Sequence, residues 1–341
     1  MHPVNLMIAG IGGASLGTEL LKALQLAKRY RVFGCDISPT AYGLYEEGFS
    51  ATFLVDRADY VGSVISACER AGVSCIIPGG EAPMVLLSAA SDLLATKGIR
   101  LISNNPGVIS ICTDKAMTFK RLAELGMEIP KTVAVRDSES VHEVGVPCVI
   151  KPSIGTGGSA MVFLATDVEE ALVYAEYIRR AGGGPIAQEY IAESGGEYTV
   201  GVLSLPTGRV AGSIALRRAL DAKLSVSTRR SSGVISSGYS QGFIARFDSI
   251  TQQCEHIARQ LGSTGPLNIQ GRLRGGKFVP FEINPRFSAS TYLRAMAGFN
   301  EIDIYLQNLL FAMEPGPIEI REGWYLRSLS EKYIAPGIVR Q

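Results

Sequence analysis

Apolar and polar positions alternate along the first third of the chain in two rhythms. Short apolar runs at Val4–Ala9, Arg31–Cys35, Cys75–Ile77 and Arg100–Ile102 are separated by stretches of helical spacing at 17–28, 59–71 and 83–97. Strands separated by helices of that length imply right-handed crossovers and a parallel sheet with helices on both faces. Residues 113–190 form a second block. It has a helix over 114–125, a turn marked by Pro130, strands Cys148–Lys151 and Met161–Leu164 around a glycine loop, a helix over 167–181 and a strand Ile186–Tyr190. From 197 onward the pattern is strand-rich, with Tyr198–Leu203, Arg209–Leu216 and Pro280–Asn284, completed by helices at 248–261 and 301–313. At 341 residues the chain exceeds a typical single core, and the pattern predicts three domains: 1–112, 113–190 and 191–341.

Composition narrows the function more by exclusion than by suggestion. With 33 basic against 32 acidic residues there is no electrostatic case for nucleic acid or an anionic membrane. No apolar stretch reaches the length of a membrane span, and the N-terminal apolar run flows into glycines instead of a cleavage site. Six cysteines (35, 68, 75, 112, 148, 254) show no Cys-x-x-Cys spacing, which predicts buried free thiols and a cytoplasmic protein. The 38 glycines cluster at 10–17, 155–158, 182–184 and 275–276, marking loops where backbone approaches a neighbour closely.

Chemistry concentrates in Phe281-Glu282-Ile283-Asn284-Pro285-Arg286, with Asn268-Ile269-Gln270 before it. Alternation along a strand puts Glu282 and Asn284 on one face, with Phe281 and Ile283 on the other. Oxygen donors on one face, with Gln270 as a third, suit Mg²⁺, which takes few protein ligands and completes its shell with water and phosphates. A two-residue turn at Gly275-Gly276 would pair 270 with 281, on the wrong face. Gln270 therefore requires an odd loop or a bulge to share the metal with Glu282.

Lys151-Pro152-Ser153-Ile154-Gly155-Thr156-Gly157-Gly158-Ser159 ends one strand and returns into another. Such a loop lays N–H groups and hydroxyls over phosphate oxygens while the lysine supplies point charge. It lacks the Gly-Lys-Ser/Thr ending of a P-loop. Gly10-Ile11-Gly12-Gly13 with Asp36 is placed as a dinucleotide fingerprint, but the third glycine of that pattern is replaced by Ser15. That leaves an NAD-binding oxidoreductase as an alternative beside a plain tight turn.

Taken together, these segments resemble the ATP-grasp superfamily, and within it a half of the carbamoyl-phosphate synthase large subunit. The resemblance runs through Thr113-Asp114-Lys115, Val149-Ile150-Lys151-Pro152 with its loop, Gln188-Glu189-Tyr190-Ile191, Glu197-Tyr198-Thr199-Val200, Asn268-Ile269-Gln270 and Glu282–Arg286, over roughly residues 4–315. It implies an α/β and α+β chain: an ATP-grasp fold preceded by a parallel-sheet α/β domain. ATP and Mg²⁺ (Mn²⁺ as a substitute) are the implied cofactors. Lys115 and Lys151 would contact phosphates beneath a lid of Gly155, Thr156, Gly157, Gly158 and Ser159. Gln188 lies in the same stretch as Glu189, which would meet the adenine amino group, and Tyr190 and Ile191 would form the adenine hinge. Glu197 would bind ribose hydroxyls. Gln270, Glu282 and Asn284 would hold the metal, and Arg286 would steady an acyl phosphate.

Each role has a plainer reading. Glu189 and Glu197 are also what solvated strand-end acids look like, and Arg286 is placed to cap neighbouring carbonyls. The segment holding Arg217, Arg218, Arg229, Arg230 and Ser231 suits recognition of carboxylate or phosphate by guanidinium forks, with Arg217 and Arg229 as further candidates beside Arg286 at the reacting group. A basic surface strand would look the same. Glu81, after a parallel strand, is placed to recognise an amine or to start a helix. The implied activity is ATP-dependent joining of a small carboxylate to a small amine. The alternative is phosphorylation of bicarbonate or carbamate, for which a homodimer would supply a second half. A silent nucleotide sensor is disfavoured because phosphate, ribose and metal positions all carry competent residues.

Overall fold

The computed structural model describes residues 3–13, 16–154, 161–192, 195–220, 228–230, 233–235, 240–335 and 338, with backbone alone at 228–230 and 233–235. Strands Ala51–Leu54, Tyr30–Asp36, Val4–Ala9, Cys75–Pro78 and Arg100–Leu101 lie side by side in that order, all parallel. Because alternate side chains face opposite ways, Leu6 and Ile8 pack with Leu16, Leu20 and Leu24 of helix Leu16–Ala27, while Met7 and Ala9 pack with Val64, Ile65 and Cys68 of helix Tyr60–Ala71. Each such aliphatic side chain contributes roughly 1.5–3 kcal/mol on burial. The expected helix over 83–97 is instead two, Glu81–Ala89 and Ser91–Thr96. Pro83 is tolerated in the first turn, where no N–H is yet needed, so the helix begins early enough to place Glu81 at its first position.

The glycine loop after the first strand is explained by packing. Gly10 has φ +95°, and a Cβ on Gly17 or Gly79 would collide with the Gly10 carbonyl oxygen. Asp36 is not presented to a ribose: its Oδ2 accepts from the Ile11 N–H at 2.8 Å and its Oδ1 from the Ser38 N–H at 3.0 Å. The carboxylate holds the loop itself together, which removes the main support for a dinucleotide site there.

A second, four-stranded antiparallel sheet has the order Thr132–Ala134, Pro185–Glu189, Cys148–Pro152, Phe163–Ala165. Cys148, Ile150 and Ala187 face helices Ser138–Val144 and Val168–Arg180 through Val141, Ala171, Ala175 and Ile178. By alternation Val149, Lys151 and Gln188 share the other face.

The third sheet is six-stranded and antiparallel, in the order Lys277–Asn284, Pro266–Arg274, Glu197–Ser204, Val210–Arg218, Gly242–Ala245, Gly323–Tyr325. Tyr198, Val200, Ala215, Leu267, Ile269 and Ile283 bury one face against Ile250, Cys254, Ile257 and Leu261 of helix Asp248–Leu261. The opposite face carries Glu197, Thr199, Gln270, Arg272, Glu282 and Asn284. The turn at Gly275-Gly276 has both residues at positive φ (57° and 82°), so Arg274 pairs Lys277 in a two-residue hairpin. The register then shifts between Gln270 and Gly271: Gly271 opposes Pro280 while Gln270 opposes Glu282, leaving Phe281 as the extra residue of a bulge. This is the bulge that a shared Gln270–Glu282 face demands. All six cysteines are buried and free, and no helix among the described residues is long and apolar enough to cross a membrane.

Candidate active site

The bulge brings Gln270 and Glu282 directly opposite each other, with Gln270 Nε2 donating to Glu282 Oε2 at 3.2 Å. Asn284, buried, follows on the same strand face. One carboxylate and two amides form an oxygen donor set fit for a hard divalent cation. With a single negative charge the set is weak alone and leaves most of the shell to phosphate and water. No cluster of three His, Cys, Asp or Glu residues occurs among the described residues, because amides hold two of the three positions here.

The bulged residue also serves the second sheet. Lys151 Nζ donates to the Phe281 carbonyl at 3.0 Å and to Gln188 Oε1 at 2.8 Å, and Gln188 Nε2 donates onward to Thr132 Oγ1 at 3.0 Å. Lys151 is thus pinned between the two sheets, over the Phe119 ring at 5.8 Å. Its ammonium is brought down to about 7, mainly by burial; Glu282 opposes the fall and Lys115 adds to it. Lys115 opens helix Lys115–Glu124, whose N-cap Asp114 accepts from the N–H groups of Ala116 and Met117. The Lys115 N–H donates to the Ser153 carbonyl at 2.8 Å, anchoring the entrance to the glycine loop. The lid residues Gly155, Thr156, Gly157, Gly158 and Ser159 lie outside the described residues.

Arg286 lies just beyond the strand of Glu282 and Asn284. Nη1 donates to the Phe287 carbonyl at 3.0 Å, the capping role that its position allowed. Burial lowers its guanidinium below the usual range, opposed by Glu81 and Glu282. Burial likewise raises the Glu81 carboxyl, opposed by Arg286 and Lys115. Glu81, at the carboxyl end of the parallel sheet, is therefore within electrostatic reach of Glu282, Arg286 and Lys115.

Glu197 is not a solvated strand-end acid. Its side chain is fully buried between two guanidinium groups: Arg218 Nη1 reaches Oε1 at 2.7 Å, and Arg272 Nε and Nη2 reach Oε2 at 3.0 and 2.7 Å. Arg272 also donates to the Ile191 carbonyl at 2.7 Å and stacks near the rings of Tyr190 (5.0 Å) and Phe281 (5.8 Å). Ile191 and Glu197 are thus held by one side chain. Glu189 accepts from Arg274 Nη1 at 2.6 Å and from the Lys131 N–H at 3.1 Å.

The arginine segment divides. Arg217 pairs across the strands with Tyr198 and Phe243 and lies over the Phe243 ring at 5.9 Å, exposed on the sheet face away from Glu282. One residue's shift along a strand reverses the face, so Arg217 does not share the face of Glu197, Gln270 and Glu282. Arg218 is turned into the site but is spent on Glu197 and on Gln270 Oε1, at 3.3 Å. Arg229 and Arg230 lie on strand Thr228–Arg230, whose side chains are outside the described residues, as is Ser231. Three charged residues on or behind this face are not among those the sequence points to: Arg272, Arg294 and Glu301. Arg272 was signalled by alternation, two residues after Gln270. Arg294 of helix Thr291–Met296 and Glu301 of helix Glu301–Phe311 form a wholly buried pair at 3.2 Å, with Arg294 Nη2 bound to Asn268 Oδ1 at 2.6 Å and Thr199 Oγ1 at 3.2 Å. Nothing in the sequence brings those two helices to that strand.

Comparison with known proteins follows the same lines. The ATP-grasp domain family matches residues 112–290. The carbamoyl phosphate synthase large chain of Neisseria meningitidis serogroup B is 26% identical over 214 residues, covering 62% of this chain and 19% of that one. The chain thus spans about a fifth of the length of that relative. Among solved structures, N5-carboxyaminoimidazole ribonucleotide synthetase from Thermus thermophilus superposes with a TM-score of 0.67 at 17% identity, over 93% of this chain and 81% of the other. The L-amino acid ligase from Bacillus licheniformis gives 0.66 at 17%, over 94% and 76%. At such identities the likeness is one of fold. The family match extends over more than half of the chain, through the four-stranded sheet and five strands of the six-stranded one, that of Glu282 and Asn284 included, and the protein belongs to the ATP-grasp family.

Proposed function

We propose that the protein is an ATP- and Mg²⁺-dependent ligase that phosphorylates a small carboxylate and joins the acyl group to an amine, releasing ADP and phosphate. The observation that carries this reading is the bulge at Phe281. It aligns Gln270 with Glu282 and offers the Phe281 carbonyl to Lys151, so metal donors and phosphate cation are built from one irregularity. Membership of the ATP-grasp family supports the nucleotide, and the names of the similar structures, a synthetase and an amino acid ligase, support the reaction class. The proposed division into 1–112, 113–190 and 191–341 is supported by sheets that do not cross it: one in each of the first two parts, and two, of six and two strands, in the third.

Glu282, with Asn284 and Gln270, would hold Mg²⁺, which when bound neutralises charge on the transferred phosphoryl oxygens. Lys151 and Lys115 bind phosphate from the opposite side. Glu197 accepts from ribose hydroxyls while Arg272 keeps it aligned with the Tyr190–Ile191 hinge. Arg286 steadies the acyl phosphate, and Glu81 receives the amine. The resemblance gives the segment 155–159, which lies outside the described residues, the role of keeping water from the acyl phosphate. The test is ADP release with panels of acids and amines, alongside direct ATP binding. The absence of both ATP binding and ADP release would overturn the reading. The likeness to the carbamoyl phosphate synthase large chain favours bicarbonate as a second candidate acid, and bicarbonate-stimulated ADP release without an amine identifies it. A homodimer belongs to that second reading.

Lys151 makes ATP binding pH-dependent. In the free site its ammonium is half deprotonated near 7, and phosphate favours the charged form, so binding above that pH takes up a proton. ATP affinity is expected to fall as pH rises from about 7 toward 9. Calorimetry at about pH 8 in buffers of different ionisation enthalpy should show proton uptake that vanishes in Lys151→Met. Equal uptake in both proteins would sink this assignment.

A further inference from the structure

Gln270 lies between partners of opposite kind, and this fixes which way its amide faces. Arg218 Nη1 is 3.3 Å from Oε1, and Glu282 Oε2 is 3.2 Å from Nε2. A guanidinium only donates and a carboxylate only accepts. The reverse orientation would put donors together at Arg218 and acceptors together at Glu282. The amide oxygen, the atom a hard cation needs, is therefore turned to Arg218, and the NH₂ group stands beside Glu282. The same Nη1 of Arg218 is 2.7 Å from Glu197 Oε1, in a pair with side chains 2% and 0% exposed. One guanidinium nitrogen thus joins the ribose acid to the metal wall.

We propose that Arg218 is a positioning residue that holds the Gln270 oxygen off the cation until nucleotide engages Glu197. This rests on the ATP and Mg²⁺ reading above. Ribose hydroxyls that donate to Glu197 compete with Arg218 for Oε1. As the guanidinium yields there, it also loosens from Gln270 Oε1, and the amide turns its oxygen toward Glu282 and Asn284. Nucleotide and cation then strengthen each other's binding through a single side chain, and reciprocally so.

The test is Mn²⁺ binding, followed by electron paramagnetic resonance of the free ion. In the absence of nucleotide, Arg218→Met is expected to bind Mn²⁺ about fivefold or more tightly than the wild type. The difference should close at saturating ATP. Arg272→Met removes an equal charge from the other oxygen of Glu197 without touching Gln270, so it controls for plain repulsion and should gain less than about twofold. Adding Gln270→Ala to Arg218→Met should abolish the gain. Arg218→Lys, whose ammonium keeps the charge but loses the fork, should gain partially and guards against misfolding of the methionine variant. No gain in either Arg218 variant, or an equal gain in Arg272→Met, overturns the latch while Mn²⁺·ATP binding still stands. If the wild type binds no Mn²⁺ even with ATP, the underlying reading fails and the latch with it.

Discussion

Replacing Glu282 with alanine is expected to lower ATP-dependent ADP release by about a thousandfold or more. Two losses fall together. Glu282 is the one carboxylate of the donor set, so alanine leaves two neutral amides, which hold a hard cation poorly. It is also the group whose charge raises the Lys151 ammonium against burial, so without it Lys151 loses its proton more readily and offers phosphate less charge. Removing one electrostatic partner of a developing charge typically costs about 10²–10³ in rate, and here two are coupled. Glu282→Gln keeps the shape and should lose nearly as much, showing that charge is what matters. Raised Mg²⁺ should recover part of the alanine variant's activity, and ATP binding measured alongside separates a lost cation from a lost fold. Activity within tenfold of wild type would remove Glu282 from the centre and end the ligase reading as drawn.

Much of that centre was legible in one dimension because strand alternation is a strict rule. Glu282 and Asn284 had to share a face once Phe281 and Ile283 were read as the other. The bulge followed from counting residues back from Gly275-Gly276, since a two-residue turn leaves Gln270 one position out of register. Arg217 is named as a candidate for its guanidinium alone, without that arithmetic. Its strand was ended at Leu216, so the face of the arginines was never tested, whereas the observed strand Val210–Arg218 puts 217 and 218 on opposite sides. Glu197 was read as a ribose acid without its two arginine partners, because Arg218 and Arg272 sit on neighbouring strands far apart in sequence.

The regular elements show a similar division. Helix Asp248–Leu261 was read end to end, its apolar stripe at Ile250, Cys254, Ile257 and Leu261 being unbroken. Short elements with little periodicity, such as strand Ala51–Leu54, helix Pro106–Thr113 and edge strand Gly323–Tyr325, were missed. Four residues of a strand give two positions per face, too few to distinguish from a loop, and what makes them strands is pairing with a neighbour already in place. The parallel unit was nonetheless placed correctly, because its core strands are apolar throughout, as strands covered on both faces must be.

The largest expected loss of stability lies behind the site, at a pair that the sequence did not show. Arg294→Met is expected to destabilise the protein by about 3–5 kcal/mol, because it leaves Glu301 as a buried charge without its partner. Arg294 and Glu301 have side chains 0% and 1% exposed, and Thr291 Oγ1 also donates to Glu301 Oε1 at 2.8 Å. Burial alone drives the Arg294 guanidinium below its usual range, and Glu301 opposes that shift. The neighbourhood has no room for substitutes: a Cβ on Gly201 would lie 2.5 Å from Arg294 Nη1 and 2.8 Å from Glu301 Oε2. Removing both charges should cost far less than removing one, so Arg294→Met with Glu301→Leu should recover most of the lost stability. Urea unfolding of the two single variants and the double variant closes the cycle. The double variant carries a second prediction. Arg294 fixes Asn268, which opposes Asn284, and Thr199, which opposes Gln270. A protein that regains its stability but binds Mn²⁺·ATP more weakly assigns the pair to alignment of the metal wall. If stability and Mn²⁺·ATP affinity both return, the pair serves the fold alone; if Arg294→Met stays within about 1 kcal/mol of wild type, the buried charge is not held as described.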